Sequence, residues 1–456
     1  MVKRIVLLGF ILTFSLMKMS AQDFGVWVAT AHRIDFPKSD GKENQIREMK
    51  ELIDLASERG ITTIYFQVRS RGDACYQSDY EPWAEALTGV LGLNPGYDPL
   101  DQFITYAKSK NMRVIGWFNV FKVADQSNQT KSKSKQKHPA EKYPSWILKS
   151  GTEKFLNPGI PEVRKYIAEV AADLVSKYDL DGIQLDFCRY PTTKYNDRST
   201  EKKYNKKHLP VGDWRRQNIT STVRLIREAI QEEKPNILLT AAPLGICKAV
   251  PNARGLESYY EVYQDSYGWM DADLLDEVEP QIYWPLGNVP DGTGAKTSPD
   301  FAALSRDWQR NSNGKIVRPG LALYKQPVAE QAEELIVVAL GNGNQGVVFY
   351  AWSQFKELNI DLTKFKKTNK DVSAKETQNE IQLKAEKLTT DQILLHNTDK
   401  KYYGYQLLDK SGSVLRSGIF GNESVVMITI DSTAEKIAVT DQNQTVIGSL
   451  FINQIK

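Results

Sequence analysis

Cysteine and histidine are scarce in this chain of 456 residues, which holds three of the first and four of the second. Cys75, Cys188 and Cys247 are odd in number and far apart, which excludes a disulfide framework and leaves one bridge open. His32, His138, His208 and His396 form no pair at metal-ligand spacing. Zinc-type cysteine spacing and a reactive cysteine beside a histidine are also missing. No cofactor and no metal are therefore expected. A G-x-S-x-G nucleophile elbow is absent. Long apolar runs are lacking beyond Ile5 to Leu16, which is short for a membrane span. Lys3 and Arg4 precede that run, and Ser20-Ala21 offers a small-residue cleavage site, so residues 1–21 read as a secretory signal. With no cysteine near the cleavage site, a lipid anchor there is not expected. An excess of one charge is missing too. The formal net charge of +3 falls to zero once residues 1–21, carrying Lys3, Arg4 and Lys18 and no acid, are removed. Nothing then points to nucleic acid or an anionic membrane as partner. The expectation is a mature protein without a transmembrane segment, secreted or periplasmic. Its oligomeric state is left open.

Strand-like and helix-like segments alternate from residue 25 onward. The expected strands are Gly25–Thr30, Thr62–Arg69, Arg113–Val120, Gly182–Phe187, Ile237–Pro243, Val278–Trp284, Pro319–Tyr324 and Gly346–Trp352. The expected helices between them are Lys42–Arg59, Asp98–Lys110, Pro161–Lys177, Asp213–Glu232, Glu257–Met270, Ser298–Arg310 and Val328–Leu340. Asp98 before Pro99 is an N-cap followed by proline at the first helical position. Eight such units predict a (β/α)8 TIM barrel over residues 22–365. A doubly wound open sheet is the rival, and it would favour a G-x-G-x-x-G phosphate loop, which is lacking. Residues 366–377, rich in Lys, Thr and Asp, read as a linker. Seven short alternating stretches in 378–456 predict a small all-β sandwich of immunoglobulin or fibronectin type. The cluster Lys131, Lys133, Lys135 and Lys137 is most simply a solvated loop.

The richest stretch is Asp181-Gly182-Ile183-Gln184-Leu185-Asp186-Phe187-Cys188-Arg189-Tyr190-Pro191, an apolar strand ending in an acid. The carboxyl ends of barrel strands are where catalytic side chains sit. Side chains alternate along a strand, so Gln184 and Asp186 share one face. Gln67 with Arg69, Trp117 with Asn119, and Gln281 with Tyr283 do the same on their strands. Polar groups at four strand ends argue for a site, against the alternative of internally bonded polar layers. Arg189, Tyr190, Trp284 and Trp352 add donors and aromatic faces, a mixture suited to sugars. Glycoside cleavage needs two carboxyl groups. Asp186 is the first candidate, as nucleophile or base; Asp265, Asp73 and Asp35 are options for the second. Glu279, at the amino-terminal end of its strand, reads as structural. Cys188 reads as a half-buried thiol.

The motifs Gly25-Val26-Trp27-Val28-Ala29-Thr30, Phe66-Gln67-Val68-Arg69, Trp117-Phe118-Asn119, Leu156-Asn157-Pro158-Gly159, Asp181-Gly182-Ile183, Asp186, Tyr190-Pro191 and Pro280-Gln281-Ile282-Tyr283-Trp284-Pro285 together resemble the glycosyl-hydrolase-like 10 family. The resemblance covers about residues 24 to 360. It implies a TIM-barrel hydrolase of the bacterial envelope or exterior, with peptide-free peptidoglycan glycan as a substrate among relatives. The acid at strand four is also similar to the α-amylase and α-galactosidase clans, where it is the nucleophile and the proton donor lies on strand five or six. Here strand five ends Ala242-Pro243-Leu244-Gly245, without an acid, and Phe187 stands where many members have a second Asp. The expectation is a glycoside hydrolase with a polysaccharide substrate, in which Asp186 reacts, Asp265 or Asp73 supplies the proton, and Arg69, Asn119, Gln184, Arg189, Tyr190, Gln281, Tyr283, Trp284 and Trp352 bind sugar. The alternative is a non-catalytic carbohydrate-binding protein on a degenerate barrel.

Overall fold

The computed structural model describes residues 22–126, 128–287 and 298–365, followed by 383–389, 392–397, 403–411, 414–420, 425–430, 433–440 and 446–452. The expected signal (1–21) and linker (366–377) lie outside these residues.

The barrel strands are β1 (Asp23–Val28), β2 (Thr63–Arg69), β3 (Arg113–Asn119), β4 (Gly182–Asp186), β5 (Leu238–Ala241), β6 (Glu277–Val278), β7 (Ile316–Val317 continued by Gly320–Ala322) and β8 (Gly346–Tyr350). All neighbours pair in parallel. The two halves of β7 occupy opposite ends of the sheet order, one against β6 and the other against β8. They are one strand, interrupted at Arg318-Pro319 because proline has no N–H to donate. On one side Arg318 N and Gly320 N donate to Val278 O and Pro280 O at 3.0 and 2.8 Å. On the other, Gln345 N and Val348 N donate to Val317 O and Pro319 O at 3.1 and 3.0 Å. The sheet therefore closes on itself as the expected (β/α)8 barrel.

Strand alternation divides the core into two shells. Outward side chains such as Val26, Ile64, Phe66, Phe118, Ile183, Leu185, Val347 and Phe349 pack under the helices. Trp27, Tyr65, Ile115, Trp117 and Val348 fill the interior, with Tyr283 and Tyr350 above them. The floor is ionic: Arg318 pairs with Glu277 at 2.7 Å and Asp23 at 2.8 Å, and Arg113 reaches the same two acids. Burial of these charges is compensated by mutual pairing across four strands.

Several boundaries differ from expectation for local reasons. Asp98 caps its helix as expected, accepting from Leu100 N and Asp101 N. The helix expected at 257–270 is two short ones, Ser258–Glu261 and Ser266–Asp271, because Tyr263 turns left-handed at φ 58° between them. Asp300, not Ser298, caps the helix Phe301–Arg310. The helix expected at Val328–Leu340 is likewise two, Gln326–Glu330 and Ala332–Gly341. β6 ends at Val278 rather than Trp284. Pro280 cannot donate, and Ile282 N and Tyr283 N turn back onto Pro280 O and Gln281 O. β8 ends at Tyr350, and Trp352 opens a short helix, Trp352–Phe355. The three cysteines are buried free thiols.

The C-terminal segments form two antiparallel sheets. One joins Leu383–Thr389, Gln392–Asn397 and Val425–Thr429; the other joins Val414–Phe420, Tyr403–Asp409, Ala434–Thr440 and Val446–Phe451. Both contribute to one core of Ile393, Leu395, Tyr405, Leu407, Ile428, Ile437 and Val439. No helix among the described residues is long and apolar enough to cross a membrane.

Candidate active site

β4 delivers Gln184 and Asp186 to the interior, one layer apart, and each meets an indole. Trp27 Nε1 of β1 donates to Gln184 Oε1 at 2.6 Å, and Trp117 Nε1 of β3 donates to Asp186 Oδ2 at 3.0 Å. Gln184 passes its own N–H to Glu279 Oε2 at 2.8 Å. Gln281, two residues beyond Glu279, donates to Asp186 Oδ1 at 3.2 Å and is aligned by a second bond to Ala242 O at 3.0 Å. The polar residues of β4 and of the β6 segment thus form a ladder of two rungs. Gln184–Glu279 is the sealed lower rung, and Asp186–Gln281 is the upper one.

Asp186 ends its strand at the barrel mouth with 7% of its surface exposed. Phe187 follows with φ 48°, a conformation that costs a bulky side chain. This turn brings Phe187 N to 2.7 Å from Asp186 Oδ1. The Phe187 ring lies between two cations, 4.9 Å from the Lys122 ammonium and 4.8 Å from the Arg189 guanidinium. Burial pushes the Asp186 carboxyl above the ordinary aspartate range. The Phe187 N–H, the Arg189 charge and the Trp117 and Gln281 donors oppose that shift.

The wall of the mouth is aromatic. Tyr283 stacks on Tyr350 at 5.8 Å, and Tyr324 meets them edge-on at 6.5 and 6.0 Å. Tyr324 is 55% exposed, so the wall opens to solvent there. Burial, with the charges of Asp35 and Asp186, pushes the Tyr350 phenol up to about 12, and Tyr283 is raised well beyond its usual value. Both hydroxyls remain protonated donors at neutral pH beside a carboxylate.

The structure places the other sequence-predicted residues as follows. Tyr283, Gln281 and Arg189 join Asp186. Trp284 stands beside them, 5.7 Å from the Lys325 ammonium. Asn119 is the register partner of Asp186 on β3; its Nδ2 donates to Ser70 O at 2.8 Å, and its buried Oδ1 has no partner. Gln184 is fully enclosed with both amide groups occupied, so it supports the rung above rather than touching substrate. Arg69 is also fully buried, in a bidentate pair with Glu81 at 2.7 and 2.7 Å, and braces β2. Tyr190 is core: its hydroxyl accepts from Asn218 and its ring packs on Tyr195 and Tyr263. Trp352 lines a groove with Asp35 and the helix Lys42–Glu58, and Asp186 is not among the residues that line it. Asp265 caps the helix at Ser266 by accepting from Gly268 N. Asp73 closes the turn after β2, its Oδ1 accepting from Ser70 N, Ser70 Oγ and Arg71 N. Asp35 accepts from Ala29 N and Ser353 N and so clasps the residue after β1 to the short helix after β8.

The site also contains residues that sequence reading did not select. Tyr350 was legible in principle, since alternation on β8 turns it inward with Val348. Trp117 was read as polar-face company for Asn119, not as the donor to Asp186. Tyr324 and Lys325 lie on the loop after β7 and carried no signal. Glu153, paired with Lys122 at 2.5 Å, arrives on a hairpin of Ile147–Ser150 and Glu153–Leu156 inserted after β3. Among the described residues no group of acids, histidines and cysteines could hold a metal ion.

A buried carboxylate with aligned donors, under an aromatic wall at the carboxyl end of a barrel, is the kind of site that glycosidase families build. The sequence profile of glycosyl hydrolase-like 10 matches residues 24–336. The chain belongs to this family. It is 30% identical over 333 residues to the glycosyl hydrolase DigH of Escherichia coli K12, covering 66% of this chain and 73% of that protein. It is 31% identical over 276 residues to the glycosyl hydrolase YngK of Bacillus subtilis, covering 58% of this chain and 54% of that protein. In fold it is similar to the glycoside hydrolase domain of PgaB (BpsB) from Bordetella bronchiseptica, with TM-score 0.51 and 14% identity over 74% of this chain and 96% of that one.

Proposed function

We propose that the protein hydrolyses glycosidic bonds of a polysaccharide, with Asp186 as the nucleophile or general base and peptidoglycan glycan strands as substrate. Family membership and the relatives' names support the glycosidase class. The observation that carries the assignment of Asp186 is its setting. It is the carboxylate at the end of β4 whose two oxygens are oriented by Trp117, Gln281 and Phe187 N, and it keeps an opening under Tyr283, Tyr324 and Tyr350. Fixed donors hold the carboxylate at the reacting position, and the tyrosine faces suit the apolar faces of sugar rings. Trp284 and Asn119, whose free Oδ1 stands beside Asp186, would orient sugar hydroxyls. Asp265 and Asp73 are held by backbone N–H groups and are weaker partners for the proton-donor role than sequence reading made them. The basic and apolar pattern of residues 1–21 supports export to the envelope or exterior.

The test is digestion of peptide-free peptidoglycan glycan strands and a panel of neutral polysaccharides by the chain from residue 22 onward, read by mass spectrometry beside Asp186→Asn. Shortened glycans from the wild type alone are expected. Intact glycans in every case, with binding retained, would make the protein a carbohydrate-binding module on a barrel instead.

A further inference from the structure

Lys325 lies at the mouth of the site and, among the described residues, has no acidic partner. It is half-buried, its ammonium donates to Tyr283 O at 2.8 Å, and it stands 5.7 Å from the Trp284 ring and 6.0 Å from the Tyr324 ring. Lys122 and Lys177, also partly buried, each hold a carboxylate at 2.5 Å. Among the described residues, none lies within ion-pair distance of Lys325. Burial lowers its pKa, with no charge acting against the shift. The residue it is bonded to, Tyr283, stacks on Tyr350 and feels the charge of Asp186, so Lys325 belongs to the wall that a bound glycan would follow. Arg189 lies over the Phe187 ring, and among the described residues its one hydrogen bond, to Tyr190 O, is 3.5 Å long. Lys325 and Arg189 thus bring two cations to the mouth at which Asp186 lies, and Arg189 feels the charges of Asp186 and Glu153.

We infer that the glycan carries a carboxylate on the sugar seated against Trp284 and Tyr324, and that Lys325 is its counter-charge. The inference rests on the glycosidase reading and assigns to Lys325 the recognition of the substrate's acidic group. An ammonium over indole and phenol faces keeps three donors directed by only one carbonyl, and a charge-assisted bond to a carboxylate is about twice as strong as one to a neutral hydroxyl. Tyr324, more than half exposed, offers the stacking face that would hold the sugar ring while its acidic substituent turns to Lys325.

The experiment measures binding to the Asp186→Asn chain, so that affinity is read without turnover, alongside cleavage by wild type. The probes are peptide-free glycan strands with free lactyl carboxylates, the same strands amidated with methylamine, and a polyuronate. Binding at least tenfold tighter to the free-acid strands than to the amidated ones is expected. Adding Lys325→Met, which keeps an apolar stem against Trp284, should bring that ratio toward one, and Lys325→Arg should preserve it. Tighter binding of the polyuronate than of the lactyl strands would place the acid on the ring carbon rather than on an ether side chain, with the same counter-charge. Equal affinity for free-acid and amidated strands, or a ratio unchanged in folded Lys325→Met, overturns the inference while leaving the glycosidase reading to the cleavage assay. If wild type cuts nothing but the charge preference persists, the glycosidase reading fails and the acidic-saccharide site stands.

Discussion

Glu279 and Asp186 are two carboxylates one layer apart inside the same barrel, and they differ in what surrounds them. Glu279 is fully enclosed. Its Oε1 accepts from Tyr65 at 3.1 Å, its Oε2 accepts from Gln184 at 2.8 Å and from Thr240, and Arg318 stands 3.6 Å away. Burial, with repulsion from Glu277, raises it to about 7. Asp186 is also raised by burial and also oriented by an amide, but it retains an opening to the mouth and an aromatic wall above it. A shifted pKa is thus common to both and marks neither as chemical on its own. Access, and the end of the strand at which the group emerges, separate Asp186, the carboxylate proposed to react, from Glu279, which holds the interior together.

The largest expected effect tests the upper rung. Asp186→Asn should lower kcat/KM by on the order of 10^3-fold, as removal of a catalytic carboxyl does, while the melting temperature stays close to wild type. Glu279→Leu should do the reverse. It leaves Gln184, Tyr65 and Thr240 without their acceptor and should cost about 3–5 kcal/mol in denaturant unfolding, with turnover per folded molecule kept within a few-fold. Loss of turnover in folded Glu279→Leu would erase the distinction between the two rungs.

Titration sharpens the same contrast. Glu279 carries a folded-state pKa of about 7 against 4.5 for the free group. A carboxyl raised in this way stabilises the fold fully below the free value, and that stability is lost as pH rises through the folded one. Unfolding free energy should therefore fall between about pH 4.5 and pH 7, by up to roughly 3 kcal/mol from this group. The decline should flatten in Glu279→Gln when unfolding is followed across that range.

Gly245 probes how the upper rung is held. A Cβ there would stand 2.8 Å from the Gln281 carbonyl carbon and 2.9 Å from the Trp284 ring. Gly245→Ala should displace Gln281 and lower kcat/KM by about tenfold or more, for a stability cost of roughly 1–3 kcal/mol. The smallest effect is a shift in the acid limb of the kcat/KM profile. Trp117→Phe and Gln281→Leu each remove a donor that favours ionised Asp186, so the limb should move to higher pH in both. An unmoved limb would show that another group controls it.

Much of this was legible in the chain. Apolar alternation, the cap at Asp98 and the proline that opens the helix at Pro161 mark the repeating units, and the acid at the end of an apolar strand marks Asp186. Three placements differ from the sequence-based expectation for a common cause. Arg69, Gln184 and Tyr190 read as substrate contacts in sequence, because a polar group at a strand end looks the same whether it faces solvent or a buried partner. Glu81, Glu279 and Asn218 lie 12, 95 and 28 residues away in the chain, and only the fold shows that they occupy those groups. Asp265 and Asp73 illustrate the same ambiguity at short range, since a carboxylate near a turn can cap it as well as react.

The sequence by itself determined the eight strand–helix repeats, the inward placement of Gln184 and Asp186, and the family, because periodicity and short motifs are local properties of a chain. Tertiary structure alone decided that β7 closes the barrel across Pro319, that Trp117 and Gln281 orient Asp186, and that Lys325 stands in the aromatic wall with no acid beside it among the described residues. Those relations join residues from separate strands and loops, and their energies exist only once burial has removed water and brought the groups within hydrogen-bond or stacking distance.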